Sequence, residues 1–145
     1  MARETITDFV GASAIVQKEV ERKDTAISYG TKDLPEFMAT PAYVALMIQA
    51  ATEAVASKLT DEETTIGRSM SFVHEQPTML GMLVSVKATV ERVEGRTLFF
   101  KIEAYDELGP IGHGTHERQL VHKRSMVHRA EERGKMINWK GRTKD

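Results

Sequence analysis

The stretch TPAYVALMIQAATEAVASKL, residues 40–59, decides how the rest of this chain can fold. Thr40 is a favourable N-cap residue, and Pro41 suits the first helical position because its missing N–H costs nothing there. Residues 42–51 are apolar almost all round, with Tyr43 and Gln49 as exceptions, which is typical of a buried helix. We therefore expect a central helix over residues 40–59, about 30 Å long, with a sheet wrapped around it.

Composition narrows the classes of protein that remain. The chain has 145 residues, which favours a single domain over residues 1–145, and a formal charge of −1, which gives no field to recruit nucleic acid or a membrane. It contains no cysteine, which excludes disulfides, thiolate catalysis and zinc–thiolate sites. The start, MARETITDFV, lacks the apolar core of a signal peptide. We expect a cytoplasmic protein that needs no cofactor.

Apolar alternation predicts most of the strands. Residues 84–91 and 97–104 alternate strictly, and Glu94-Gly95 between them predicts a tight hairpin turn. Residues 24–30 either extend the first strand or form a short second one. Ser125 is expected to cap a solvated closing helix that ends at Gly134, before a loose tail over residues 142–145. The predicted strands cover residues 13–20, 65–74, 84–91, 97–104 and 111–122. This order predicts an α+β fold in which a curved antiparallel sheet wraps around one long helix.

Three polar features stand where chemistry could occur. Thr40 begins the buried helix, where the helix dipole favours developing negative charge, but it could also be only a cap. His74 ends an otherwise apolar strand face that includes Met70 and Phe72, and the plainer interpretation is a surface or hydrogen-bonded core histidine. The segment GHGTHER, residues 112–118, has glycines that indicate close approach by another backbone or a ligand, or simply relieve crowding. Its two histidines are three positions apart and so lie on opposite faces of a strand, which argues against a metal site.

These segments together resemble the hotdog-fold thioesterases related to fluoroacetyl-CoA thioesterase. The resemblance covers roughly Ser13 to Val121. Its most specific parts are Ala39-Thr40-Pro41, the spacing His74-x₃-Thr78-x₂-Gly81, the hairpin VEGR, and Gly114-Thr115-His116-Glu117-Arg118. The resemblance implies a hotdog fold, with the helix as the sausage and the sheet as the bun. It also implies a homodimer, with a tetramer left open.

The resemblance further implies an acyl-CoA thioesterase acting on a small acyl group. It places the catalytic threonine on Thr40 and the catalytic histidine on His74, and it places Gly67, Gly81 and Arg118 near the substrate or in the fold. CoA phosphates would then be met first by Arg118 or Arg68, with an ion pair inside the fold as the alternative for Arg118.

One catalytic position departs from the family, because the usual glutamate eight residues after the threonine is Ile48 here. Gln49 and Glu53 point elsewhere on the helix, so a carboxylate would have to come from a residue such as Glu75 or Glu117. A second function therefore stays open: a hotdog protein that binds an acyl-CoA or a related ligand but hydrolyses it poorly. A hotdog hydratase is a more distant third, since its Asp and His motif is missing.

Overall fold

Five antiparallel strands form one sheet against a single long helix. The computed structural model describes residues 6–31, 33 and 36–137. In chain order the main elements are β1 (Ser13–Glu19), α1 (Thr40–Val55), β2 (Glu63–His74), β3 (Leu83–Glu94), β4 (Thr97–Asp106), β5 (Gly109–His122) and α2 (Lys123–Lys135). The strands pair in the order β1-β3-β4-β5-β2, so β1 and β2 are the two edges. No helix within the described residues is long and apolar enough to cross a membrane.

The predicted alternation of β3 and β4 is confirmed, because every inward apolar side chain of these two strands is buried. They are Val84, Val86, Ala88, Val90, Leu98, Phe100, Ile102 and Ala104. The hairpin between the strands turns at Gly95 and Arg96, and Gly95 has the positive φ of 60° that such a tight turn requires. This inner face receives one face of α1, which closes the core.

The central helix is shorter and more one-sided than its sequence indicates. It has 16 residues, and a short 3-10 helix, Ala56–Lys58, follows it. At about 1.5 Å per residue it is therefore close to 24 Å long. Tyr43 is fully buried, whereas Ile48 is 40% exposed on the opposite face. The prediction of burial on all sides is thus wrong, since a five-stranded sheet covers only one side of the helix.

Two further local predictions are wrong. Residues 24–30 form no strand: two 3-10 helices, Arg22–Asp24 and Ala26–Tyr29, occupy this segment, and Thr25 makes an isolated bridge to Met38. Ser125 does not cap α2, because the helix begins at Lys123 directly after β5, and Gly134 lies inside it. No side chain of α2 is buried, which confirms a solvated helix. The predicted tail over residues 142–145 lies outside the described residues.

Candidate active site

The first turn of α1 and the last residue of β2 meet at one end of the sheet. The hydroxyl oxygen of Thr40 lies 2.9 Å from Nδ1 of His74. Ala39 is the N-cap residue of α1, and no side chain caps this end of the helix. The prediction of Thr40 as an N-cap is therefore wrong, because its hydroxyl contacts a histidine on the neighbouring strand instead. The geometry is that of a hydroxyl whose proton the imidazole can accept.

The imidazole of His74 is partly buried. Burial lowers its pKa below the ordinary value, because a charged imidazolium loses hydration there. Its Nε2 is buried and has no hydrogen-bond partner among the described residues. The ring of Tyr43 lies against the imidazole, with ring centroids 4.5 Å apart and an angle of 41° between the planes. His74 is therefore held neutral near pH 7, between a hydroxyl and an aromatic face.

None of the carboxylates considered from the sequence forms a hydrogen bond with this imidazole. Nδ1 contacts Thr40, and Nε2 has no partner. Glu53 instead accepts a hydrogen bond from Gln49 at 3.1 Å on the exposed side of α1. Glu117 is paired with Ser69 in the sheet, five positions along β2 from His74. Glu75 follows His74 directly and its charge acts on Tyr43, but it forms no hydrogen bond with the imidazole. Ile48 carries no polar group, so within the described residues no carboxylate is hydrogen-bonded to His74.

An open groove of about 400 Å³ runs past Thr40. Tyr29, Phe37 and Pro41 contribute its apolar wall, and Thr31 and Asp33 add polar groups. The first turn of α1 offers few free N–H groups here, because Pro41 has none and the N–H groups of Ala42 and Tyr43 both donate to the Ala39 carbonyl. The groove can therefore seat an extended ligand beside the hydroxyl, while an oxyanion needs donors from another element.

Gly67 and Arg118 form a second group, remote from Thr40 and His74. They face each other across β2 and β5, and a Cβ on Gly67 would touch Arg118 and His116. Gly67 precedes His74 by seven positions in β2, which corresponds to about 23 Å along the strand at roughly 3.3 Å per residue. Within one protomer, the structure thus separates the predicted site residues into two groups.

Arg118 is 6% exposed. Its guanidinium donates to the hydroxyl of Thr65 at 2.9 Å, to the carbonyl of Thr65 at 2.9 Å, and to Nε2 of His116 at 3.2 Å. Burial lowers the pKa of Arg118. Burial is also the main cause that lowers the pKa of His116, whose Nδ1 lies 2.8 Å from the carbonyl of Ser69. Neutral His116 thus donates from Nδ1 and accepts from Arg118, and no ion pair within the fold is needed to hold the guanidinium.

Of the remaining candidate positions, Arg68 and His116 lie beside the Gly67–Arg118 group, and Gly81 lies in a separate turn. Gly81 has φ 89° in the turn before β3, and its N–H donates to the Val20 carbonyl. Arg68 is exposed where the β2–β5 register shifts between Gly67 and Ser69. His113 is exposed and His116 buried, as their odd spacing predicts.

Sequence reasoning missed the part that Tyr43 plays. Its ring contacts the imidazole of His74, and its hydroxyl donates to the Val73 carbonyl at 3.1 Å. Burial, with a smaller effect from the nearby charge of Glu75, raises the pKa of Tyr43 to about 12, so it stays a donor. The available signal was a lone tyrosine in an apolar helix, three residues after the candidate nucleophile, where the two share a helix face.

Known proteins share this fold. A hot-dog-like protein from Thermanaerovibrio acidaminovorans superposes with a TM-score of 0.80 and 33% identity, covering 86% of this chain and 91% of that one. A crystal structure of the fluoroacetyl-CoA thioesterase FlK gives a TM-score of 0.78 and 30% identity, covering 85% of this chain and 95% of that one. The architecture is therefore the hotdog fold, as predicted.

Sequence comparison agrees with the structures. The fluoroacetyl-CoA thioesterase of Streptantibioticus cattleyicolor is 38% identical over 90 residues, which span 62% of this chain and 65% of that enzyme. The match thus covers slightly less than two thirds of that relative's length. The profile of the FlK family, described as fluoroacetyl-CoA-specific thioesterase, matches residues 20–124. The chain belongs to the fluoroacetyl-CoA-specific thioesterase family.

Proposed function

We propose that this protein is an acyl-CoA thioesterase that hydrolyses a small acyl-CoA thioester. The observation that carries the proposal is the 2.9 Å contact between the Thr40 hydroxyl and Nδ1 of His74. Two elements far apart in sequence bring together a hydroxyl and a neutral base beside an open groove. Thioester hydrolysis needs a nucleophile or activated water and a base of this kind.

In the proposed reaction, His74 accepts a proton as Thr40, or a water held by Thr40, attacks the thioester carbonyl. The C–S bond then breaks and His74 returns the proton to the departing CoA thiolate. If Thr40 is the attacking group, water hydrolyses the acyl ester on Thr40 in a second step, with His74 again as the base. The lowered pKa of His74 keeps it in the proton-accepting form at neutral pH. Charge that develops on the carbonyl oxygen lies near the positive end of the α1 dipole. Because the first-turn N–H groups of Ala42 and Tyr43 are engaged, the hydrogen-bond donors must come from another element, and in a homodimer joined through β2 the open edge of the partner protomer's β2 can supply them.

The groove beside Thr40 is the proposed binding site for the thioester end of the substrate. Arg68 is exposed at the irregularity of β2 and is the better placed of the two arginines to meet a CoA phosphate. Arg118 is occupied by Thr65 and His116, which supports a role in shaping the second group of residues rather than in binding phosphate. Related enzymes have been crystallised with acetyl-CoA and with fluoroacetate and CoA.

The alternative function is binding of an acyl-CoA or a related ligand with little turnover. Its specific support is Ile48, which stands where the family's glutamate is expected, together with the lack of any carboxylate contact to His74. An imidazole without a carboxylate partner is a weaker catalytic base, because its charged form is not stabilised. The two functions share the site and differ in rate.

The test is thiol release from short acyl-CoAs, acetyl-CoA and propionyl-CoA among them, compared with His74→Gln. The thioesterase proposal expects hydrolysis by the natural sequence that falls about 10²-fold to 10⁴-fold in the variant. Binding without turnover would give a measurable CoA affinity by calorimetry and the same slow thiol release from both proteins. The absence of both turnover and affinity would reject both functions.

The proposed organisation is a homodimer of single hotdog domains, with a tetramer left open. A cytoplasmic location, and the absence of a cofactor and of nucleic-acid or membrane partners, remain predictions from composition.

A further inference from the structure

Tyr43 is the buried group with the closest ring contact to His74, and the proposed reaction does not use it. The imidazole has one hydrogen bond, from Nδ1 to Thr40, while Nε2 has no partner. A histidine ring turns through a broad range about its last side-chain torsion. The hydrogen bond to Thr40 restricts this torsion, but Thr40 is exposed and water can compete for the bond. The face of Tyr43 adds a second restraint on the ring at a centroid distance of 4.5 Å.

The position of Tyr43 is itself fixed by the strand that carries His74. Its hydroxyl donates to the carbonyl of Val73, the residue just before His74, at 3.1 Å. The edge of its ring meets Phe72 at 5.9 Å and 85°, a favourable perpendicular arrangement. Three successive residues of β2 therefore contact the same tyrosine. Any shift of Tyr43 relative to the strand end would move the surface on which His74 rests.

Gly112 packs against the hydroxyl end of Tyr43. It pairs with His74 across β5 and β2, and a Cβ at this position would clash with both the Tyr43 hydroxyl and the Val73 carbonyl. A close approach of this kind requires glycine. The glycine-rich segment singled out in the sequence thus lets the Tyr43 hydroxyl reach the β2 backbone.

We propose that Tyr43 is the positioning residue of the site: its ring, anchored over Gly112, holds the His74 imidazole with Nδ1 directed at the Thr40 hydroxyl. Thr40 and Tyr43 lie one turn apart on α1, so a single rigid element supplies both constraints on the histidine. The aromatic face orients the imidazole, as a carboxylate partner would, and the apolar side chain of Ile48 cannot do so. The inference rests on the proposed function only for its effect on rate.

The test replaces the Tyr43 ring with side chains that still fill the core. Tyr43→Met removes the aromatic face but retains a long apolar side chain, and Tyr43→Leu is a second variant with the same purpose. Tyr43→Phe retains the aromatic ring and loses only the hydroxyl that donates to the Val73 carbonyl. Phe100→Met is the matched control, because Phe100 is a buried ring of the same sheet that lies against His116, with centroids 6.2 Å apart. Urea unfolding identifies conditions in which every variant is folded.

The primary readout is nitrogen NMR of the His74 ring in the unliganded protein, which does not depend on turnover. The natural sequence should show one tautomer, Tyr43→Phe should resemble it, and Tyr43→Met should drift toward a mixture. In the thiol-release assay, Tyr43→Met should lower kcat about 10²-fold with little change in KM, since misplaced catalytic groups lose rate on this scale. Phe100→Met should change neither His74 signal nor kcat.

Unchanged His74 tautomer signals in both Tyr43→Met and Tyr43→Leu would overturn the proposal. So would Phe100→Met if it disturbed the His74 signals and lowered kcat as much as Tyr43→Met does. If the natural sequence releases no thiol while the His74 signals still depend on the Tyr43 ring, the thioesterase proposal fails and the positioning role stands.

Discussion

Thr40 directs its hydroxyl to His74 and leaves the end of its own helix without a side-chain cap. Removing a working N-cap costs about 1 kcal/mol of stability, so this difference can be measured. Thr40→Val retains the shape and deletes the hydroxyl. We expect thiol release to fall at least 10²-fold, on the order of a lost proton-transfer partner, while the urea midpoint barely moves. Thr40→Ser should retain most of the activity.

The opposite pattern for Thr40→Val, with lower stability and intact hydrolysis, would return Thr40 to the role of a cap.

His74 sets the expected pH dependence. Its pKa lies below the ordinary value because of burial, and a base acts only in its deprotonated form. The kcat/KM of hydrolysis should therefore rise with pH through a pKa below about 6.5 and stay level above it. His74→Gln should remove this titration together with most of the rate. A rise centred well above 6.5 would mean that another group is the base.

Replacing each of the two candidate arginines should have a different effect on stability and on CoA affinity. Arg118→Ala leaves Nε2 of His116 and the Thr65 carbonyl without donors in a buried place, which costs about 1–3 kcal/mol for each unsatisfied group. Arg68→Ala removes an exposed charge and should stay within about 0.5 kcal/mol of the natural stability. We expect CoA affinity, measured by calorimetry, to fall in Arg68→Ala. A loss of affinity in folded Arg118→Ala alone would restore Arg118 as the phosphate ligand.

At the scale of the element, α1 has an exposed face that carries Ile48. This side chain is 40% exposed in the protomer, so a charged group there avoids the burial cost that a fully buried helix would impose. If the missing carboxylate limits the rate, Ile48→Glu should raise thiol release. Ala45→Glu, one turn earlier on the exposed side, is the matched control for an added negative charge. Equal rates in both variants and in the natural sequence would show that a carboxylate at residue 48 does not reach His74.

The strands of this fold were predictable because each has one buried face and one face turned to solvent. In β3 and β4 the side chains alternate between core and solvent, and this period of two is visible in the sequence. The segment after β1 was not predictable, because its 3-10 turns are stabilised by contacts that no local pattern encodes. Examples are the donation from Ala39 N–H to the Asp24 carbonyl and the Thr25–Met38 bridge.

The site was predictable only in part, for a related reason. Thr40 and His74 were found as single polar residues at the ends of apolar elements, and the fold brings them together. Tyr43 was hidden because an aromatic residue in an apolar helix looks like core, which it also is. The separation of Gly67 and Arg118 from His74 follows from the length of β2 and the register of its pairing with β5, which the sequence does not state.

At the scale of the whole molecule, the distance between the two groups of predicted residues has a consequence for assembly. Each group has one member on β2, His74 in the first and Gly67 in the second, and β2 is an edge strand of 12 residues with an open side that can pair with another strand. In an antiparallel pairing of two copies of β2 with the two-fold axis at Ser71, His74 of one protomer would pair with residue 68 of the other, directly beside its Gly67. A homodimer joined in this way would reunite the residues that one protomer separates.

The assembly can be tested cleanly because the chain contains no cysteine. Light scattering at micromolar concentration should give about twice the 16.2 kDa protomer mass. Ser71→Cys places an exposed thiol close to the expected axis, where cysteines with Cα atoms about 4.4–6.8 Å apart can form a disulfide. Mild oxidation should link its protomers, whereas Ser13→Cys, exposed on the opposite edge strand β1, should stay unlinked. A 16.2 kDa species alone, or linkage through Ser13→Cys only, would contradict pairing through β2, and the two groups of residues would then belong to separate sites.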